Sequence, residues 1–462
     1  HGPARRESMT EHLSRRTKFL YGIGDTGFSL TSTILGAYFA IFLSDVVHLD
    51  LSVAAMAIMV GRIWDWVNDP LIGHISDRTR TRWGRRRPFL LFGFMPFALS
   101  FALLWWRPPL EGQLALGVYY ALVYVLYEAA ATFVYMPYFA LTPELTPDYD
   151  ERTSLTSYRM FFSIFASLIA FVVPSFLIGR LVPENAPRVL LMGFIFGIAG
   201  ALPLLLTFWG TRERDEYQAQ AQPKILPSLR AAIKNRPFVF SIAMFLLTWV
   251  AVKLIESTLL YFIKYVVERE SESDLLMLII FGVAILVLPF WNWASERWNK
   301  RWAYVIGIAF WAVVQIAIIT LSPSTSLWLL LLLSAMAGIG VSAAHVIPWA
   351  IIPDAIEWDE LQTGERHEGM FYSLTTLTQK IAMSAALPLA LLLLDATGYV
   401  ANAAQQPASA LMGIRLLVGP IPAVLLCGGI VFAIVYPLGR EQHADAVREL
   451  AQRRAERTQE AE

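Results

Sequence analysis

RIWDWVNDPLIGHISDRTRTRWGRRRP, residues 62–88, contains two very different halves. The first is apolar enough to continue a membrane-spanning helix, yet it carries Asp65 and Asp69 four residues apart. Each acid costs about 2.5 to 3.5 kcal/mol at a helix centre on insertion scales. The second half, DRTRTRWGRRRP, places six arginines in twelve residues, a density that holds a loop on the cytoplasmic side. A charged point inside the membrane and the side on which its helix ends are thus both written here.

The rest of the chain agrees. Its 462 residues are 56% hydrophobic and 16% charged, with a mean hydropathy of +0.51, too apolar for a soluble domain of this size. At roughly 20 apolar residues per span, twelve spans are expected, over 26–47, 53–76, 89–107, 113–140, 159–180, 188–209, 237–267, 275–295, 303–321, 326–352, 371–397 and 411–436. The two termini and the loops 77–88, 141–157, 210–236, 296–302 and 353–370 hold 27 Lys or Arg, against four in the intervening loops (Arg107, Arg180, Arg188, Arg269). Both termini therefore face the cytoplasm, and the inner (plasma) membrane is the expected location. HGPARRES reads as a tag remnant ahead of Met9, and no cleavable signal peptide precedes the first span. The lone Cys427 rules out an internal disulfide and reads as inert packing.

An internal repeat divides the spans. SDRTRTRW at 76–83 is echoed by SERWNKRW at 295–302, MPYFALTPEL at 136–145 by IPWAIIPDAI at 347–356, and RMFF by GMFY. The expected fold is an all-α membrane protein of two six-helix pseudo-repeats, the plan of alternating-access carriers. The expected divisions are 1–18 (tag and N-terminus), 19–209 (first bundle), 210–236 (central loop), 237–437 (second bundle) and 438–462 (tail).

Asp65 lies twelve residues after Val53, about 18 Å along a helix and near the midplane of a roughly 30 Å core. Spacing of four puts Asp69 on the same face with Asn68 beside it, so oxygens converge as a small hard cation requires. Thr132, one turn after Glu128, adds a neutral oxygen. Arg62 could instead neutralise Asp65, and Pro70 could free a carbonyl near Trp66 or merely kink the helix. Lys380, nine residues into its span, needs an anion, for which the aspartate pair is the candidate. Lys253 and Glu256 can pair on one face, whereas Lys264 can snorkel outward. Arg159 is a cavity cation or an anchor at the cytoplasmic end. Trp64, Trp66 and Trp349 are candidate ligand platforms. In the arginine loop, Asp77, Arg78, Arg85, Arg86 and Arg87 can form a cytoplasmic gate with Glu144, Arg152 and Asp354 when that side closes.

WDWVNDPLIGHISDRTRTRWGRRRP, FALTPELTPDYDERTSLTSYR and IPDAIEWDELQTGERHEGMFYS together resemble the glycoside-pentoside-hexuronide:cation symporters of the major facilitator superfamily. That resemblance implies a symporter whose coupling ion, Na+ or else H+ or Li+, binds at Asp65, Asp69 and Thr132, with Arg159 and Lys380 at functional positions. The melibiose-permease branch has sugar-binding acids where this chain has Ser29 and Tyr135, which puts galactoside recognition in doubt. The lysophosphatidylcholine-symporter branch also lacks them, carries a glutamate matching Glu256 and ends with a segment like LLDATGYVANAAQQP.

The expectation is a cation-coupled carrier whose loaded cation site releases Lys380. Its cavity is lined by Ser29, Trp64, Glu128, Tyr135, Arg159, Glu256 and Trp349. The cargo is a sugar or glycoside, or alternatively a lysophospholipid. No resident cofactor and no nucleic-acid partner are expected, only membrane lipids around a monomer. A membrane-embedded transferase is disfavoured because HExxH, GxSxG and Cys/His clusters are missing, and a channel because midplane charges within a repeat indicate a bound intermediate.

Overall fold

The computed structural model describes residues 13–146, 149–213, 232–363, 368–438 and 448–449, and statements of absence below refer to these. The chain is helical, its β content a single isolated bridge between Thr81 and Gly84. We number the long helical segments α1 (Arg15–Val46), α2 (Leu51–Arg78), α3 (Arg87–Leu104), α4 (Gln113–Leu145), α5 (Tyr149–Ile178) and α6 (Ala186–Gly210). After the central stretch come α7 (Arg236–Val266), α8 (Ser273–Trp298), α9 (Lys300–Ile318), α10 (Leu327–Thr363), α11 (Glu368–Ala396) and α12 (Ala408–Ile434).

Eleven helices are long and apolar enough to cross a membrane, and the chain is a multi-pass membrane protein. The long helix outside that set is α2, which carries Arg62, Asp65 and Asp69. Its outward stripe is apolar, with Met56, Val60, Ile63, Val67 and Leu71 exposed, whereas the inward stripe holds the polar Asp65, Asn68 and Ser76 along with Ile72. Spacings of three and four separate the members of each stripe, so the polar groups enter the protein and the apolar ones leave it.

The helices form two compact units, His1–Leu35 with Met56–Gln220 and Gly36–Ala55 with Ala221–Glu462. Packing repeats between them. In the first, α3 packs on α4 and α6, and α1 on α5 and α6; in the second, α9 packs on α10 and α12, and α7 on α11 and α12. Small residues permit the closest approaches. A Cβ on Gly27 would overlap the carbonyl oxygen of Gly200, so α1 and α6 touch backbone to backbone.

The outer end of α1, assigned above to the first bundle, belongs to the second unit. It ends in a π turn over Phe42–Val46, matched 220 residues later by Phe262–Val266 at the end of α7. Each turn carries a hydrogen bond spanning five residues, Val47 N to Phe42 O and Val267 N to Phe262 O, both at 3.1 Å. Each is followed by a residue of positive φ, His48 at 62° and Glu268 at 57°. Two ordinary residues held in this sparsely allowed region mark a built helix terminus. FLSDVV and FIKYVV encode the pair.

Candidate functional site

The buried face of α2 brings Asp65 and Asp69 against α4. The Thr132 hydroxyl stands 3.0 Å from Asp65 Oδ1 and 3.2 Å from Asp69 Oδ1. One hydroxyl carries one proton, so it satisfies only one carboxylate at a time. Asp65 is 4% exposed and Asn68 3%. The Asn68 amide nitrogen has no hydrogen-bond partner among the described residues, a cost that a buried amide does not normally bear. Two carboxylates, a hydroxyl and an amide within two helices are a donor set of the kind a small hard cation takes as cargo.

Arg62 carries a charge that acts on both Glu128 and Asp65. Its Nη1 lies 2.9 Å from Glu128 Oε1, and its guanidinium sits 5.5 Å from the centre of the Tyr124 ring. Glu128, expected to line the cavity, is the buried counter-ion of Arg62. Trp64 is exposed and lies on the apolar stripe of α2 rather than on the face that carries Asp65. The side chains of Trp66 and Pro70 lie outside the described residues.

Tyr135 is corrected from cavity lining to core. It is 3% exposed and packs among Phe28, Phe97, Tyr138 and Phe139 with ring centroids 5.2 to 6.1 Å away. Ser29 is spent on Ser163 of α5, their hydroxyl oxygens 2.5 Å apart. One turn before Ser29 is Asp25, a buried acid that sequence reasoning passed over. One turn before Ser163 is Arg159, whose charge acts on Asp25, which hydrogen-bonds Tyr21 and which lies 5.0 Å from the Phe139 ring centre. Arg159 lies five residues inside the apolar part of α5, which runs over Ser154–Ile178. The i,i+4 spacings Asp25/Ser29 and Arg159/Ser163 were legible; that they face each other across α1 and α5 was not.

In the second unit Lys253 donates to Glu256 Oε2 at 2.5 Å, as the spacing of three suggests. The other carboxylate oxygen of this buried acid abuts Gly36, where a Cβ would overlap it. Trp349 stands edge-on to Phe245 at 5.0 Å. Beside them Trp249 meets His345 at 5.2 Å and Lys253 at 5.9 Å. Trp249 and His345 were missed, although each precedes a noticed residue, Lys253 and Trp349, by four. Trp249 is buried in the core of this unit, Trp349 packs against that core, and the Lys253 ammonium is paired with Glu256. Lys380 is a partly buried member of α11 in this unit. Lys264 does not snorkel; it is bound to Asp45. Cys427 is exposed on α12 rather than packed inside.

The charges of the basic loops act first as braces within each unit. Arg85 and Arg86 both bind Glu144, with nitrogen to oxygen distances of 2.6 and 3.0 Å, and Arg86 also donates to Ser76. Lys300 holds Asp354 in the second unit, so the two Pro-acid pairs of the repeat, Pro143-Glu144 and Pro353-Asp354, are used alike. Arg87 donates to the Phe208 carbonyl at 2.6 Å, and Arg78 is exposed. The Asp77 and Arg152 side chains lie outside the described residues. Sequence reasoning also missed Glu213, which accepts the backbone N–H groups of Arg85, Arg86 and Arg87 at 2.6, 2.8 and 2.9 Å. It caps the amino end of α3, where unsatisfied amides and the helix dipole favour an anion.

Comparison with known proteins follows this geometry. The family described as MFS/sugar transport protein matches residues 20–440. An uncharacterized symporter of Synechocystis is 33% identical, covering 96% of this chain and 98% of its own. The sodium-dependent lysophosphatidylcholine symporter 1-A of Danio rerio is 31% identical over 92% of this chain and 86% of its own. Among solved structures, a D-xylose-proton symporter superposes with a TM-score of 0.65 at 13% identity, covering 91% of this chain and 97% of that one. That last likeness is one of fold.

Proposed function

We propose that this chain, which belongs to the MFS/sugar transport protein family and has symporters as relatives, couples inward sodium movement to uptake of an amphipathic lipid of the lysophospholipid class. The observation that carries the coupling is the convergence of Asp65 and Asp69 on Thr132. Sodium entering this oxygen set offsets two like charges held together in a poorly solvated place. Lys380, expected to compensate the pair in the absence of sodium, is then released toward the cargo. A carrier that changes face only when both sites are loaded or both are empty converts the sodium gradient into accumulation.

The lipid reading is preferred to the glycoside reading for two reasons. The positions at which family members carry sugar-binding acids hold Ser29, tied to Ser163, and Tyr135, packed in the core. Neither residue is an acid, whereas the resemblance implies that hydroxyl recognition in the sugar-binding branch rests on acids at these positions. A relative carries lysophosphatidylcholine in its name, and exposed His345 with half-buried Trp349 leaves aromatic surface near the Lys253–Glu256 pair. The protein acts as a monomer in the inner membrane, with the arginine loop on the cytoplasmic side.

Uptake into proteoliposomes under an imposed sodium gradient, with lysophospholipids and glycosides compared, tests this. Sodium-driven lysolipid uptake that is lost in Asp65→Asn is expected. Uptake confined to glycosides would overturn the lipid assignment, and uptake indifferent to sodium would overturn the coupling.

A further inference from the structure

The loop between α2 and α3 spends its arginines in two ways. Arg85, Arg86 and Arg87 turn inward, onto Glu144 and the Phe208 carbonyl. Arg80 and Arg82 are exposed and have no carboxylate partner among the described residues. The same holds for Arg212, two residues past the end of α6, whose charge acts on Arg87. Holding a loop on one side of a membrane needs such charge and no particular geometry.

This loop nevertheless has a geometry. Thr81 and Gly84 exchange backbone hydrogen bonds at 3.3 and 3.0 Å. The Thr81 hydroxyl donates to the Gly84 carbonyl at 2.7 Å and accepts from the Trp83 amide at 3.2 Å. Gly84 has a φ of 104° and lies against the Glu213 carboxylate, so a side chain there would be both strained and blocked. The closed turn carries Arg82 and Trp83 at its tip. Arg82 lies over the Trp83 ring at 4.3 Å, and Trp83 meets Phe92 and Phe208 edge-on at 6.0 and 6.4 Å. Because α3 is long and apolar enough to cross a membrane, the turn that precedes it stands at the membrane surface. Phe92, five residues into α3 and about 8 Å along it, is 60% exposed. Unopposed cations, an indole and an exposed phenyl ring thus follow one another from the surface inward.

We propose that this turn docks the headgroup of an anionic phospholipid of the surrounding bilayer. Guanidinium groups take phosphate oxygens through paired N–H bonds. The Trp83 indole suits the interfacial level at which tryptophans collect, and Phe92 meets the start of an acyl chain. Stacking on Trp83 holds Arg82 in place beforehand, so less side-chain freedom is lost on binding. A zwitterionic headgroup would bring its own cation to a cluster that lacks acids, so a net negative one is selected. The site lies within the first unit and uses none of the residues assigned above to ion or cargo.

The melting temperature of the purified full-length chain in a neutral detergent tests this, titrated with phosphatidylglycerol or with phosphatidylcholine of the same acyl chains. Phosphatidylglycerol is expected to stabilise at the lower concentration. Arg80→Gln with Arg82→Gln should raise its half-maximal concentration by about twentyfold and leave the phosphatidylcholine response within about twofold. Arg82→Lys, which keeps the charge and loses the planar fork, should cost about threefold. Arg15→Gln with Arg16→Gln removes equal charge from exposed positions on α1 and should leave both responses unchanged. Equal responses of the parent to the two lipids, or an equal loss in the Arg15 and Arg16 control, would overturn the site. Stabilisation by glycerol phosphate alone, abolished by the Arg80 and Arg82 pair, would also overturn it by assigning these arginines to a soluble anion.

Discussion

Arg62 Nη1 lies 2.9 Å from Glu128 Oε1, so the arginine closest in sequence to the acids of α2 is held by α4. In the proposed coupling, Glu128 holds Arg62 so that its charge does not displace the cation from Asp65.

Neutralising Glu128 should therefore weaken sodium binding. With Glu128→Gln the Arg62 charge, which also acts on Asp65, loses its partner and competes with the ion. Sodium affinity of the purified protein, read by thermal shift across a sodium titration, is expected to fall by about tenfold. Adding Arg62→Leu should recover most of that loss, whereas a purely structural role for Glu128 predicts further decline.

The acids themselves should be indispensable. Asp65→Asn and Asp69→Asn each remove a charge that a cation would meet, and stabilisation by sodium should vanish in both. Lithium and sodium dependence of melting are measured together, and persistence of either response in both variants would exclude this site.

Thr132 separates ligation from packing. Thr132→Ala removes the hydroxyl that touches both carboxylates and should raise the sodium concentration needed for half-maximal stabilisation by roughly three- to tenfold. Thr132→Ser keeps the hydroxyl and should stay within about twofold of the parent.

Glu213 should matter for stability and not for ion affinity. Its carboxylate accepts three amides at the start of α3, and Glu213→Ala is expected to cost about 1 to 2 kcal/mol. Lower melting with an unchanged sodium response would match; a shifted sodium response would assign Glu213 a different role.

How much of this was legible without coordinates depends on the range of each interaction. Asp65 with Asp69, and Lys253 with Glu256, are three or four residues apart, and helical pitch alone puts such pairs on one face. The echo between SDRTRTRW and SERWNKRW likewise pointed to a two-part plan, and helices of the two units pack in matching pairs. Thr132 entered as a neutral oxygen one turn after Glu128, and family resemblance then tied it to Asp65 and Asp69.

Tertiary packing decided the rest. Periodicity says which residues share a face but not which face meets which neighbour. Tyr135 looked like a cavity residue and became core, Trp64 fell on the exposed stripe, and Glu128 turned out to answer Arg62 across 66 positions. Asp45 and Lys264 are separated by 219 residues, and each read alone was an unremarked acid and a snorkelling lysine near a span end. Their meaning lies in the juxtaposition of two matching helix ends, because a buried charge takes its role from the partner that the folded backbone delivers to it.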